Sequence, residues 1–174
     1  MATKKTAPFT LTERVTLTAD NTDVFGVIDL ASYVDVAARQ GISIQSVDYI
    51  VQGATADVNL AASLAANSLT TCQLTDLNRG GLVFANDRAL CSSMQLNASA
   101  QQAFDKASDV YPDNYGPHGS SVGRIVVNDS LYITGRCTNL SADVNITVRV
   151  TCTIVSLSAK DFMAIAIQST AADN

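Results

Sequence analysis

The sequence predicts an all-β protein, an antiparallel β-sandwich of about eight strands with one or two short helices. Three observations carry that expectation. Apolar and polar residues alternate with a period of two in at least four segments, the pattern of strands buried on one face. Turn residues punctuate the chain between them, with no strand–helix–strand alternation and no internal repeat. Negative charge sits on fifteen aspartates against the single glutamate Glu13, in a chain rich in Thr and Ser. Glutamate favours helices, whereas Asp and Asn favour caps and turns, so this dress suits strands and loops.

The bulk numbers bound the rest. A length of 174 residues predicts one domain, able to bury roughly 70% of its extended surface without staples. An apolar fraction of 47% argues against wholesale disorder. A net charge of −5 and a pI near 4.6 argue against sequence-specific or backbone-led nucleic-acid binding. Lys4 and Lys5 make a poor basic arm, and the seven arginines are scattered without aromatic interleaving. The opening MATKKTAPFTLTERV has no continuous apolar run, so no secretion signal is expected there.

Taken in order, FTLTERVTLTA alternates cleanly, with Phe9, Leu11, Val15 and Leu17 on one face. Glu13 interrupts that face, which places the start of the strand at the edge of the core. VFGVID reads as a second strand, followed by a turn that Asp29 caps. DVAARQG reads as one helical turn stopped by a left-handed Gly41. ISIQSVDYIVQG alternates again, with a register break at Ser46–Val47 that suits a β-bulge. GATADVNLAASLAANSLT fits a short helix or a small-residue loop equally well.

TTCQLTDL is a short strand and NRGG a turn, and LVFANDRALCSSMQLNA reads as a strand with a break at AND. SAQQAFDKASD is the best helix candidate, with Ser99 as cap, Gln102 as its capping-box partner and Ala103, Phe104 and Ala107 on one face. VYPDNYGPHGSS, broken by two prolines and two glycines, reads as a long loop. GRIVVNDSLYITGRC, ADVNITVRVTCTIVSLS and KDFMAIAIQST then read as three strands. The middle one is the most regular, with Val144, Ile146, Val148, Val150 and Cys152 on one face.

Chemistry is sparse. His118, in GPHG, is the single histidine, so no histidine metal cluster exists. Nucleophile-elbow and phosphate-loop patterns are absent. Cys72, Cys91, Cys137 and Cys152 contain no CxxC pair; they read as reduced, buried small hydrophobes, with pairing left open. The carboxylates flanking VYP, Asp109 and Asp113, are the one place where calcium is considered. Their few oxygens fall short of an EF-hand loop. No cofactor and no enzymatic activity are expected.

The segments GVIDLASYVDVAARQGISIQSVDYIVQ, DSLYITG and VNITVRVTCTIVSLSAKDFMAIAIQS resemble, in pattern, single-jelly-roll major capsid proteins of archaeal or environmental icosahedral viruses. The resemblance covers most of residues 10–168 and fixes no diagnostic motif. It implies an extended leader over 1–9, a jelly-roll domain over 10–168 and a flexible tail over 169–174. FMAIAIQS would be the last framework strand. It further implies a structural subunit of a virion, assembled in the host cytoplasm, whose partners are copies of itself and possible other capsid proteins or an internal membrane. Phe9, Tyr111, Tyr115 and His118 are the candidate interface residues, because interface tyrosines bury apolar area while keeping a hydroxyl partner. The alternative is a non-enzymatic carbohydrate-binding or adhesin-like β-sandwich. A cupin-type enzyme is excluded by the single histidine.

Overall fold

The computed structural model describes residues 2–56, 60–98, 106–111, 115 and 123–170. In chain order its first elements are β1 (Thr3–Lys4), β2 (Phe9–Leu17), β3 (Val24–Asp29), β4 (Gln40–Gln52), the single turn α1 (Leu60–Ser63) and β5 (Leu64–Thr75). They are followed by β6 (Leu90–Asn97), β7 (Lys106–Tyr111), β8 (Arg124–Val126), β9 (Ser130–Leu140), β10 (Val144–Ser156) and α2 (Ala159–Thr170). The chain is all-β and antiparallel, a two-sheet sandwich with helix only at α1 and α2 among the described residues. One sheet runs β8-β4-β10, with β2 and β1 end to end along the far side of β10. The other runs β3-β9-β5-β6-β7. Four ladders are nested: β2 with β10, β3 with β9, β4 with β8 and β5 with β6.

β10 is the spine because it pairs on both sides. Val144, Ile146, Val148, Val150 and Cys152 are all fully buried between the sheets, as the alternation predicts. β4 keeps its own apolar residues on that side by means of a bulge. Thr151 pairs with Ser46 and Cys152 with Ile44, so Gln45 is the extra residue. One inserted residue reverses the parity of a strand, so Ile42 and Ile44 before it and Val47 after it all reach the core. The break lies one position before the Ser46–Val47 reading.

β2 sinks progressively, from half-buried Phe9 to fully buried Leu17. It reaches the opposite sheet through two glycines. A Cβ on Gly26 would lie 2.8 Å from Val15 Cγ1, and one on Gly135 would lie 3.0 Å from Leu17 Cδ2. Side chains at either position would hold the two sheets apart at this corner.

Several expectations are corrected. KDFMAIAIQST is helix α2, not a strand. Ser158 caps it, its Oγ accepting from Asp161 N at 3.2 Å. Three alanines favour helix, and Phe162, Ile165 and Ala166 pack at i, i+3, i+4 against Val127, Val155 and Leu157. The best helix candidate is overturned where it can be followed: Lys106–Tyr111 is strand β7, bonded to the edge of β6. A sheet edge offering backbone partners outweighs local propensity there. Ser99, Gln102 and the rest of 99–105 lie outside the described residues.

In the β3–β4 connection, Arg39 takes the left-handed conformation (φ 52°), not Gly41. Gly41 lies within β4, where a Cβ would come 2.8 Å from Val126 O. The connection is a pair of turns, not a helical one. Asp29 Oδ1 accepts from Ala31 N, and Asp35 Oδ1 accepts from Ala37 N, both at 2.8 Å. LVFANDRAL is loop up to Leu90, held over the outer face of its sheet by Gln73, whose amide exchanges two 2.8 Å bonds with the Val83 backbone. GRIVVNDSLYITGRC divides into β8 and β9, which lie in different sheets. The leader joins the sheet through β1, with Lys5 N donating to Ile154 O and Thr6 Oγ1 accepting from Ile154 N. α2 runs to Thr170, two residues into the expected tail.

Candidate functional site

Loops at one end of the sandwich converge on a buried ion pair. β5 delivers Asp76 just past its last residue, and β8 opens with Arg124 from the opposite sheet. Arg124 Nη2 donates to Asp76 Oδ2 at 2.8 Å and to Arg88 O at 2.6 Å, while Nη1 donates to Leu90 O at 2.9 Å. Asn128 Nδ2 donates to Asp76 O at 2.6 Å. One guanidinium therefore ties the β5–β6 loop to the edge of the other sheet. Asp76 Oδ1 is buried with no hydrogen-bond partner among the described residues. Burial raises the Asp76 carboxyl above its ordinary range, and Arg124 opposes that rise.

Two clefts of about 300 and 570 Å³ flank this pair, and Asp76 and Asn128 line both. Arg88, Ile165 and Gln168 close the first; Val34, Leu77 and Tyr132 close the second. The pair has a structural chemistry: the two charges meet each other, and the bonds to the Arg88, Leu90 and Asp76 carbonyls anchor backbone around them. Asp76 and Arg124 stand 48 positions apart with no motif around either, so the sequence carries no signal for their meeting.

A third cavity, about 320 Å³, opens on the outer face of the β3 sheet. Phe25 and Val27 line it at 55% and 50% exposure, with Tyr132 directly across the ladder from Val27. Asn78 and Gly80 form its rim, where Asn78 Oδ1 accepts from Gly80 N at 3.0 Å and Gly80 adopts a φ of 66°. The site is aromatic on its floor and amide-bearing at its edge.

The sequence-predicted interface residues fall in different places. The ring of Phe9 lies 5.1 Å from that of Tyr33, and both pack against the main core. Tyr115 donates its phenol to Cys91 O at 2.6 Å and packs against the same core. The Tyr111 backbone sits in β7 opposite Ser93. His118 lies outside the described residues. Of the carboxylates considered for calcium, Asp109 is in β7 and Asp113 lies outside the described residues. No group of three or more His, Cys, Asp or Glu side chains is placed to hold a metal ion among the described residues.

All four cysteines are free thiols and buried. Burial pushes Cys72, Cys91 and Cys152 up to about 12, and Cys137 also rises through burial. Thiols so placed stay protonated at neutral pH and behave as core residues.

No protein-family model matches this chain, and no curated protein sequence is significantly similar to it. No described helix is long and apolar enough to cross a membrane.

Proposed function

We propose that this chain is a structural capsid subunit, folded as a single jelly roll, whose activity is binding copies of itself. The observation that carries the reading is the nesting of the four ladders. A jelly roll is a ribbon of antiparallel pairs wound around a core, first strand with eighth, second with seventh, third with sixth and fourth with fifth. With β1 and β7 set aside as additions at the edges, the remaining eight strands follow that order. The same winding underlies many shell-forming subunits, and it supports the resemblance that the strand segments carry. Fold does not dictate function, so the reading rests on assembly. The partners are copies of this chain, with other capsid proteins or an internal membrane completing a virion. Negative-stain microscopy of the purified chain tests it: closed shells or extended sheets are expected, and isolated monomers at high concentration would refute it.

The cavity floored by Phe25 and Tyr132 favours a second reading, a carbohydrate-binding module. Aromatic faces beside an amide suit a sugar ring. Calorimetric titration with neutral oligosaccharides tests it. Binding that Tyr132→Ala abolishes would support it, and no heat for any sugar would remove it.

A further inference from the structure

We infer that the outward face of α2 is a contact surface for a second copy of this chain, with the two α2 helices antiparallel about a two-fold axis. The inference rests on the self-assembly reading and names the surface that it uses.

α2 is apolar on two sides. Its inner side, Phe162, Ile165 and Ala166, covers Val155 and Leu157. Its outer side carries Met163 and Ile167, one turn apart and each 58% exposed, with exposed Ala164 beside them. Surface helices ordinarily turn a polar face to water. Here no charged residue occurs from Phe162 to Thr170.

Charge identifies the occupant. An amphipathic helix that lies on a membrane carries Lys or Arg along its polar face, and attraction to anionic lipid adds to its hold. α2 has only Lys160, at its start, and the chain carries a net charge of −5. A second α2 fits better. The spacing is self-complementary: in an antiparallel pair centred near residue 165, Met163 of each copy meets Ile167 of the other, as an isologous contact requires. The same register sets Lys160, which shares the outer side, against the C-terminal end of the partner helix. There the last carbonyls form the negative pole of the helix, and no basic residue lies in the last turn to answer it. Ala164 leaves room for close approach of the two backbones. A contact of two large side chains per copy is small and weak alone, so it serves as one of several contacts in an assembly.

Cross-linking tests it, because the four native thiols are buried and leave an introduced one as the reactive group. Ala164→Cys lies beside the proposed axis, and Thr12→Cys, on exposed β2 surface, serves as the control. Under mild oxidation Ala164→Cys is expected to form a disulfide-linked dimer at least about tenfold faster than the control. Adding Met163→Glu and Ile167→Glu should remove that advantage, through like-charge repulsion and lost apolar contact. In the reduced double variant, circular dichroism should remain that of the wild type. Equal cross-linking of the two cysteine variants, while the wild type assembles, would overturn this contact and leave the subunit reading intact. A wild type that never associates would overturn both. Flotation of the wild type with neutral phosphatidylcholine vesicles, without the Ala164→Cys dimer, would assign the face to a lipid surface instead.

Discussion

Arg124 reaches across the end of the sandwich to Asp76, and its 2.8 Å bond joins the β4 sheet to the β5 sheet. The carboxylate is nearly buried, with its side chain 8% exposed against 27% for the arginine. Breaking a buried pair by removing one partner strands the other charge. Arg124→Gln should therefore destabilise the fold by about 2 kcal/mol at neutral pH, less than for a fully buried pair because water reaches the arginine.

That loss should depend on pH in a defined direction. The Asp76 carboxyl titrates above its ordinary value of 3.8 in the folded chain, so the native state holds its proton more tightly than the unfolded state does. The contribution of Asp76 to stability thus falls as pH rises through the window that begins at 3.8. Without Arg124 the carboxyl rises further and the window widens upward. Urea denaturation of wild type and Arg124→Gln should show a stability gap that narrows below the ordinary carboxyl range, to what the Arg88 and Leu90 carbonyl bonds hold, and widens towards neutrality. A constant gap across pH would show that the arginine acts through packing and those carbonyl bonds, not through Asp76.

Gly26 is the corner where β3 passes under β2. A valine there would drive its Cβ to within 2.8 Å of Val15 Cγ1, with Glu13 and Ile133 closing the other sides. Overpacking of this kind costs about 1–3 kcal/mol. Gly26→Val should lower the Tm by several degrees while circular dichroism stays β-rich. An unchanged melt would mean that the two sheets are not in contact at this edge.

Cys152 sits on the buried face of β10, and burial lifts its thiol to about 12. Cys152→Ala should cost about 1–2 kcal/mol through the small cavity it leaves. In the native wild type, a thiol reagent at mildly alkaline pH should find almost nothing to modify, and denaturant should expose four reactive groups. Rapid native labelling would contradict the core assignment.

How much of this was legible beforehand varies with the physics of each element. β2, β4 and β10 were readable because a half-buried strand must alternate, and even the bulge in β4 left its mark as a break in parity. α2 was misread because FMAIAI alternates as well as it spirals. The deciding feature was Ser158, a cap whose partner Asp161 lies three residues on. β7 was misread because its state depends on the free edge of β6, which no local window contains. The Asp76–Arg124 pair was invisible for the same reason, being made wholly by the approach of two sheets. Tyr115 was singled out as an interface residue, and within this chain its phenol donates to the Cys91 carbonyl, a partner 24 positions away that no local window contains.

Sedimentation velocity of the purified wild-type chain over a wide range of concentration tests the central claim most directly. The self-assembling subunit predicts a weight-average mass that climbs with concentration well beyond the 18.3 kDa of one chain. A single species of 18.3 kDa at every concentration would contradict it.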